Sequence, residues 1–173
     1  AEPYFIQKCG DAIAPQRKLD IRGSNTSGVY ACIGSDSSLG GETITVPAGG
    51  ELTLTNMKIF KSVKIIVEKG GVLILNDSSV FGPIEVYGTI KTKTRSSLQN
   101  ILTMHDGSVM ENLNVVSYNR SVKNIKETIV DDLVVIEGHV RAKGENRILA
   151  DMGDANKIGQ KALTVQKNAR LTI

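Results

Sequence analysis

The sequence predicts an all-β fold, a right-handed parallel β-helix (β-solenoid) of about six or seven coils with an irregular N-terminal cap. Two observations support this prediction: short apolar runs recur along the chain with one internal spacing, and glycine or asparagine turns recur between them in the same phase. A unit of about 20 residues cannot bury its own apolar face, so successive units must stack around one shared core. The right-handed coil follows from the general preference for right-handed crossovers between parallel strands.

Residues 1–41 are predicted to form the cap. They lack clean periodicity and are dense in turn-forming Gly, Ser, Asn and Asp. The only two cysteines of the chain, Cys9 and Cys32, both lie in this segment. An even count in a chain with features of export favours a disulfide between them, whereas two reduced, buried thiols are the alternative.

Residues 42–173 are predicted to form the solenoid, which makes one structural domain with the cap. The apolar positions of the first unit return 21 residues later, where Ile44, Val46, Leu52 and Leu54 are matched by Ile65, Val67, Leu73 and Leu75. Further copies begin at Ile84, Leu102, Val134 and Leu163. Because apolar residues alternate, one face of each strand points inward, and Gly or Asn supplies the positive φ that a corner requires.

The spacing between copies widens in the second half of the chain, from about 20 to about 30 residues. We expect loops at residues 117–127 and 143–156 to absorb the difference. A β-sandwich or jelly roll with turns at similar intervals is the alternative architecture. The apolar pairs and the turns return in phase, which favours the solenoid.

The repeat has the form Val-x-x-Gly-Gly-x-Leu-x-Leu, seen at residues 46–54 and 67–75. It resembles the parallel β-helix proteins of the pectate-lyase-like superfamily and the passenger regions of autotransported bacterial adhesins, over about residues 42–173. The resemblance implies the architecture and little about activity. Lyases that resemble pectate lyases gather Asp or Glu residues for calcium with a Lys or Arg base on one face of the rod, while hydrolases of this fold use an Asp cluster.

The composition argues against a nucleic-acid or membrane-spanning protein. The formal net charge is only +3 and the Lys and Arg residues are spread along the chain, whereas a nucleic-acid footprint is denser and interleaved with aromatics. No apolar stretch is long enough to span a bilayer. The start at Ala1-Glu2-Pro3 is typical of a mature end after signal-peptide removal, which predicts a secreted, periplasmic or cell-surface protein; a piece of a larger protein is the alternative.

One candidate catalytic set is Asp131, Asp132 and Arg141, which would act as a lyase site if the two carboxylates converge in a turn near the strand that carries the arginine. The alternative is a solvated turn and an outward-facing arginine. An enzyme that acts on a polysaccharide along the side of the rod would also require Asp151, Asp154 and Lys143 to lie in the same groove as this catalytic set.

A second candidate is a calcium site at Asp151, Asp154 and Asn156, whose oxygens cluster around a glycine without the fixed ligand register of a calcium loop. A simple turn is the alternative, and no cofactor other than calcium is expected. His105 and His139 sit beside turn glycines in different phases of the repeat and are interpreted as surface or turn residues.

The candidate binding residues are aromatics: Phe60, Phe81, Tyr87 and Tyr118. They are expected to contact a carbohydrate or a protein, or, for Phe60 and Phe81, to stack as a ladder inside the coil.

The leading functional hypothesis is an exported, non-enzymatic bacterial solenoid that presents a rigid surface for adhesion or for binding a partner or glycan. One alternative is a lyase or hydrolase acting on an acidic polysaccharide, and another is a segment of a phage or surface fibre. The last run, residues 163–173, has no obvious cap behind it, so this solenoid edge is expected to meet another copy, a partner, or a missing C-terminal part of a longer protein.

Overall fold

The computed structural model describes residues 18–22, 42–59, 61–117, 132–150 and 161–173, and the strands in these ranges stack in three parallel sheets. In chain order the strands are β1 (Lys18–Arg22), β2 (Glu42–Val46), β3 (Glu51–Thr55), β4 (Lys58–Ile59), β5 (Val63–Val67), β6 (Val72–Asn76), β7 (Ser79–Val80), β8 (Ile84–Val86), β9 (Thr89–Thr94), β10 (Ser96–Leu98), β11 (Leu102–Met104), β12 (Val109–Glu111), β13 (Asn114–Ser117), β14 (Asp132–Ile136), β15 (His139–Lys143), β16 (Arg147–Leu149), β17 (Lys161–Val165) and β18 (Arg170–Thr172).

Each complete coil contributes one strand to each sheet. Sheet A has the order β1-β3-β6-β9-β12-β15-β18, sheet B the order β2-β5-β8-β11-β14-β17, and sheet C the order β4-β7-β10-β13-β16. Coil one is therefore β2 to β4, coils two to five follow in threes, and coil six contains β17 and β18. The predicted parallel β-solenoid is confirmed, and the parallel pairing rules out an antiparallel sandwich for these residues.

The strand register confirms the repeat read from the sequence. In sheet B, Ile44 pairs with Ile65 and Val46 with Val67, and in sheet A, Leu52 pairs with Leu73. The starts of the later copies fall in one row, because Ile84, Leu102, Val134 and Leu163 follow Ile65 in successive coils. The pair at Ile59 and Val80 lies in sheet C, on another side of the coil.

One strand lies within the segment assigned to the cap. Residues 18–22 form β1, which pairs in parallel with β3 and places Leu19 beside Leu52 and Ile21 beside Leu54. Leu19 and Ile21 are both buried, so this strand extends the core beyond coil one. The rest of the predicted cap, with Cys9 and Cys32, lies outside the described residues.

The core is a stack of inward-facing aliphatic side chains. It runs as one cluster of buried residues from Leu19 to Val140, and rows such as Ile65, Ile84 and Leu102 are at most 1% exposed. Burying one such side chain contributes about 1.5–3 kcal/mol, so the stacked rows are the main source of stability. Outward positions alternate with them and carry the charged residues, as in β5, where Lys64 and Ile66 are only half buried.

Left-handed backbone conformations occur at two kinds of corner, although not in every coil. Between sheets B and A, the positive φ belongs to Gly49, Gly70, Gly107 and Asn168, as the glycine and asparagine turns predicted. Between sheets A and C it belongs to Asn56, Asp77, Asn112 and Gly144, a second row that the sequence analysis did not identify. This second corner is also held by side chains: the buried hydroxyl of Ser78 accepts a hydrogen bond from the Met57 amide (3.0 Å) and donates one to the Leu54 carbonyl (2.8 Å).

Candidate functional sites on the outer faces of two sheets

The outer face of sheet B carries a charged cluster that spans coils two to five. It consists of Lys64, Glu85, Tyr87, His105 and Glu137, here termed the sheet B cluster. Lys64 and Glu85 point outward from β5 and β8. The other three residues directly follow β8, β11 and β14, so they occupy the same place in three consecutive coils. Stacking of the coils therefore brings together residues that are about 20 to 30 positions apart in sequence.

Ion pairs link the cluster from one coil to the next. The Lys64 ammonium contacts Oε2 of Glu85, and Oε1 of Glu85 lies 3.2 Å from Nε2 of His105. On the other side of the imidazole, Nδ1 lies 3.3 Å from Oε2 of Glu137. Ionised carboxylates only accept hydrogen bonds, so the doubly protonated ring is the form that donates to both neighbours. The His105 side chain is only 17% exposed, which shields these contacts from solvent.

Tyr87 completes the cluster by stacking on the imidazole. The two ring centroids are 4.1 Å apart and the ring planes differ by 3°. Tyr87 is 41% exposed, in keeping with its selection as a candidate binding residue, but one face of its ring is covered by His105. From the sequence alone, His105 is interpreted as a surface or turn residue. The missed signal is that Tyr87, His105 and Glu137 each directly follow the apolar pair of a repeat.

Within the cluster, Lys64 and Glu85 shift each other's pKa. The hydrogen bond from Lys64 lowers the pKa of Glu85 below its ordinary value; burial opposes this effect and the His105 contact adds to it. The hydrogen bond to Glu85 in turn raises the pKa of Lys64. Both groups are therefore charged over a wider pH range than usual, and they form an ion-paired network within the cluster.

This network predicts a specific pH dependence of stability. Because the pKa of Glu85 is lower in the folded chain than in the unfolded chain, ionised Glu85 stabilises the fold above the ordinary glutamate pKa of about 4.3, and this contribution is lost as the pH falls through the lowered value. The variant Glu85→Gln should therefore be less stable than the wild type at neutral pH, with a difference that disappears in acid. Urea unfolding followed by circular dichroism over that pH range measures it.

The matched control is Glu68→Gln, which removes an exposed glutamate of coil two. Glu68 has no ion pair in the described part of the chain. The difference in stability between Glu68→Gln and the wild type should therefore be small and should not change with pH. If the stability difference between Glu85→Gln and the wild type were equally independent of pH, the stabilising role of the Lys64–Glu85–His105 contacts would be contradicted.

From β9 to β18 the outer face of sheet A is different, because most of its basic side chains have no carboxylate partner among the described residues. Outward positions of β9, β15 and β18 hold Lys91, Lys93, His139, Arg141, Lys143 and Arg170, here termed the sheet A basic face. Among the outward residues of β9, β12, β15 and β18, Glu111 is the single carboxylate, and it pairs with Lys91 at 3.5 Å. No carboxylate of the described residues lies within 4.0 Å of the charged groups of Arg141, Lys143 or Arg170.

A shallow depression lies within this basic face. Its volume is about 410 Å³, and its lining comes from the turn before β12, from β15 and from β18. The strand register explains its shape, since Val109, Arg141 and Thr172 are neighbours in one row across coils four, five and six. His139 lies beside Arg170 in the adjacent row. The depression therefore offers a small apolar floor surrounded by a guanidinium, an imidazole and a hydroxyl.

The described members of the predicted catalytic set do not come together. Asp132 begins β14 in sheet B and accepts a hydrogen bond from the Thr164 hydroxyl (2.7 Å), whereas Arg141 and Lys143 point outward from sheet A. These side chains lie on different faces of the solenoid. Asp131, which was predicted to join them, lies outside the described residues.

The other predicted positions are mostly beyond the described ranges. The calcium candidates Asp151, Asp154 and Asn156 lie outside the described residues, as do the aromatics Phe60 and Tyr118. Phe81 is half buried directly after β7, with the Lys58 ammonium 5.1 Å from its ring centroid. Within the described ranges, no group of three His, Cys, Asp or Glu side chains is arranged to hold a metal ion.

Comparison of the chain with protein-family models, curated proteins and solved structures found no match. Within the part of the chain that the structure describes, no helix is long and apolar enough to cross a membrane.

Proposed function

We propose that this protein is an exported, non-enzymatic bacterial solenoid that binds an anionic glycan on the sheet A basic face. The observation that carries the proposal is the row of unpaired cations on β15 and β18, where Arg141, Lys143 and Arg170 have no carboxylate partner among the described residues. Exposed cations that no described carboxylate contacts can pair with carboxylate or sulfate groups of a ligand. Arginine is well suited to this role, since its planar fork binds such anions through two hydrogen bonds.

The depression supplies the remaining elements of a glycan site. Val109 offers an apolar surface to a sugar ring, while the Thr172 hydroxyl and the His139 ring offer hydrogen bonds to sugar hydroxyls. Successive coils are about 4.8 Å apart, so side chains in one row meet a linear ligand at regular intervals. The strands hold these groups in place before binding, which reduces the entropic cost of association.

The sheet B cluster supports a binding function rather than catalysis. A glycosidase requires a carboxylic acid that stays protonated near neutral pH, and such acids have raised pKa values. The pKa of Glu85 is instead lowered by the hydrogen bond from Lys64. A carboxylate with a lowered pKa is a poor proton donor. The cluster is therefore better suited to stabilising the outer face of sheet B than to donating a proton.

The test is a binding titration with polygalacturonate as the anionic probe and a neutral glucan as the comparison. We expect saturable binding of polygalacturonate that weakens as salt is added, and a loss of about tenfold or more in affinity for Arg141→Glu. The control is Lys69→Glu, which changes the net charge equally at an exposed turn of coil two, away from the basic face.

Three outcomes would overturn the proposal. Equal losses in Arg141→Glu and Lys69→Glu would show that only net charge matters. Absence of binding to any carboxylated or sulfated polysaccharide would leave the basic face without a glycan ligand. Ultraviolet-absorbing unsaturated products would show a lyase instead, the activity that the resemblance to pectate-lyase-like proteins also allows.

A further inference from the structure

We infer that the sheet A basic face selects a linear glycan in which acidic sugar residues alternate with uncharged ones, and that Glu111 sets this preference. The selection rests on the glycan binding proposed above and specifies the class of ligand. It follows from the way in which cations are distributed over successive coils. Two coils carry them, and the coil between the two carries a carboxylate instead.

The described Lys and Arg residues of coils three to five fall into two bands. The first cationic band belongs to coil three and consists of Lys91, Lys93 and Arg95. The second cationic band belongs to coil five and consists of Arg141, Lys143 and Arg147. Corresponding strands of successive coils lie side by side in one sheet, so both bands face the same side of the rod.

Coil four lies between the two bands and has no Lys or Arg over residues 101–117. One of the outward residues of its strand β12 is Glu111. Because β12 pairs with β9 on one side and with β15 on the other, Glu111 lies between Lys91 and Lys143 in one row. The charge along this row therefore changes from positive to negative and back to positive.

The row at the corner towards sheet C has a similar pattern. Asn114 at the start of β13 pairs with Arg147 of the second cationic band. The position on its other side belongs to Arg95, which directly precedes Ser96, the residue that pairs with Val115. A neutral amide thus separates two arginines, so neither row continues its positive charge through coil four.

The distance between the bands determines which ligand can pair with both. Coils are about 4.8 Å apart, so the two bands are about 10 Å apart along the rod. A sugar residue in an extended glycan advances by a distance close to one coil spacing. A glycan with a carboxylate on every residue would bring one of them against Glu111, and like charges at an interface are unfavourable. An uncharged residue in that place avoids the repulsion.

Glu111 can also bind the uncharged residue directly. Its side chain is 36% exposed, so a ligand can reach the carboxylate. An ionised carboxylate only accepts hydrogen bonds, and the hydroxyl and amide groups of an uncharged sugar donate them. The ion pair with Lys91, at 3.5 Å, holds the carboxylate beside the first cationic band. An ammonium group has three N–H donors, so Lys91 can still bind a carboxylate of the ligand.

The experiment compares two oligosaccharides of equal length by calorimetric titration. Hyaluronan fragments alternate glucuronate with uncharged N-acetylglucosamine, whereas galacturonate fragments carry a carboxylate on every residue. We expect the wild type to bind the hyaluronan fragment about tenfold more tightly. Glu111→Gln should abolish this preference by strengthening the binding of galacturonate, and Glu111→Lys should make galacturonate the tighter ligand. Glu111 is partly exposed and glutamine has the same shape, so Glu111→Gln should fold normally.

The matched control is Glu51→Gln, because Glu51 also lies on the outer face of sheet A and also has a lysine partner, Lys18 at 3.9 Å. It belongs to coil one, outside the two bands, so the preference should stay as in the wild type. A wild type without preference for hyaluronan, a preference that survives in Glu111→Gln, or an equal loss in Glu51→Gln would each overturn the selection and leave anionic glycan binding intact. If neither fragment bound, the selection would be wrong, and if sulfated polysaccharides also failed to bind, the proposed function would be wrong with it.

Discussion

The substitution Gly88→Ala is expected to reduce the free energy of unfolding by about 3 kcal/mol, because the added methyl group has no space. Gly88 lies in the short corner between β8 and β9, directly against the corner of coil two. A Cβ at this position would lie 2.3 Å from the Glu68 carbonyl oxygen and 2.4 Å from the Gly71 carbonyl oxygen. Both are backbone atoms, so the two coils must separate locally, and the hydrogen bond from Thr89 to Gly71 (2.9 Å) weakens with them.

Gly107→Ala is the matched control for this prediction. Gly107 occupies the same corner in coil four and has a φ of +81°, but no atom lies within 4 Å of an added Cβ. Its cost is the left-handed backbone alone, about 1 kcal/mol. Urea unfolding at neutral pH measures both variants. If Gly88→Ala were no more destabilising than Gly107→Ala, close contact between successive corners would not be a constraint on this fold.

Much of the architecture could be predicted because a solenoid repeats its own pattern. The register that places Ile44 against Ile65 depends only on alternation and on glycine corners, and both are visible in the sequence. The same pattern identifies the copies at Leu102 and Val134, although a longer segment separates them. In these coils the local sequence pattern and the stacking of the coils favour the same structure, so the repeat can be recognised from the sequence.

The features that the sequence analysis missed depend on stacking rather than on local pattern. β1 has only two inward residues, Leu19 and Ile21, and an isolated alternation of that length gives no repeat to compare. The corner row of Asn56, Asp77 and Asn112 includes an aspartate and lies outside the Gly-Gly turns that mark the repeat, so the spacing of those turns does not point to it. A left-handed conformation is accessible to Asn and Asp as well, so side-chain identity alone conceals it.

The candidate sites were harder to predict because their members belong to different coils. Glu85 and His105 are 20 residues apart in sequence, yet they lie within 3.2 Å of each other because β8 and β11 are neighbours in sheet B. Asp132 and Arg141 are much closer in sequence but lie on different sheets, since a corner separates β14 from β15. In a solenoid, proximity follows the coil period rather than chain distance.

The adjacent pair Ile65 and Ile66 provides the sharpest test of this architecture. Ile65 is fully buried in the row between Ile44 and Ile84, whereas Ile66 points outward from the same strand and is only half buried. Ile65→Ala should reduce the free energy of unfolding by about 2–5 kcal/mol, because it removes buried methyl groups and leaves a cavity between two coils.

Ile66→Ala removes the same atoms from the adjacent residue. It should reduce the free energy of unfolding by about 1 kcal/mol or less, because solvent can occupy the space that it leaves. The comparison is free of differences in residue type and strand propensity, since both positions exchange isoleucine for alanine in β5. Urea unfolding of the two variants gives the difference directly. Equal losses would mean that the strand does not direct alternate side chains to the core and to solvent, and the register of all six coils in sheet B would then be wrong.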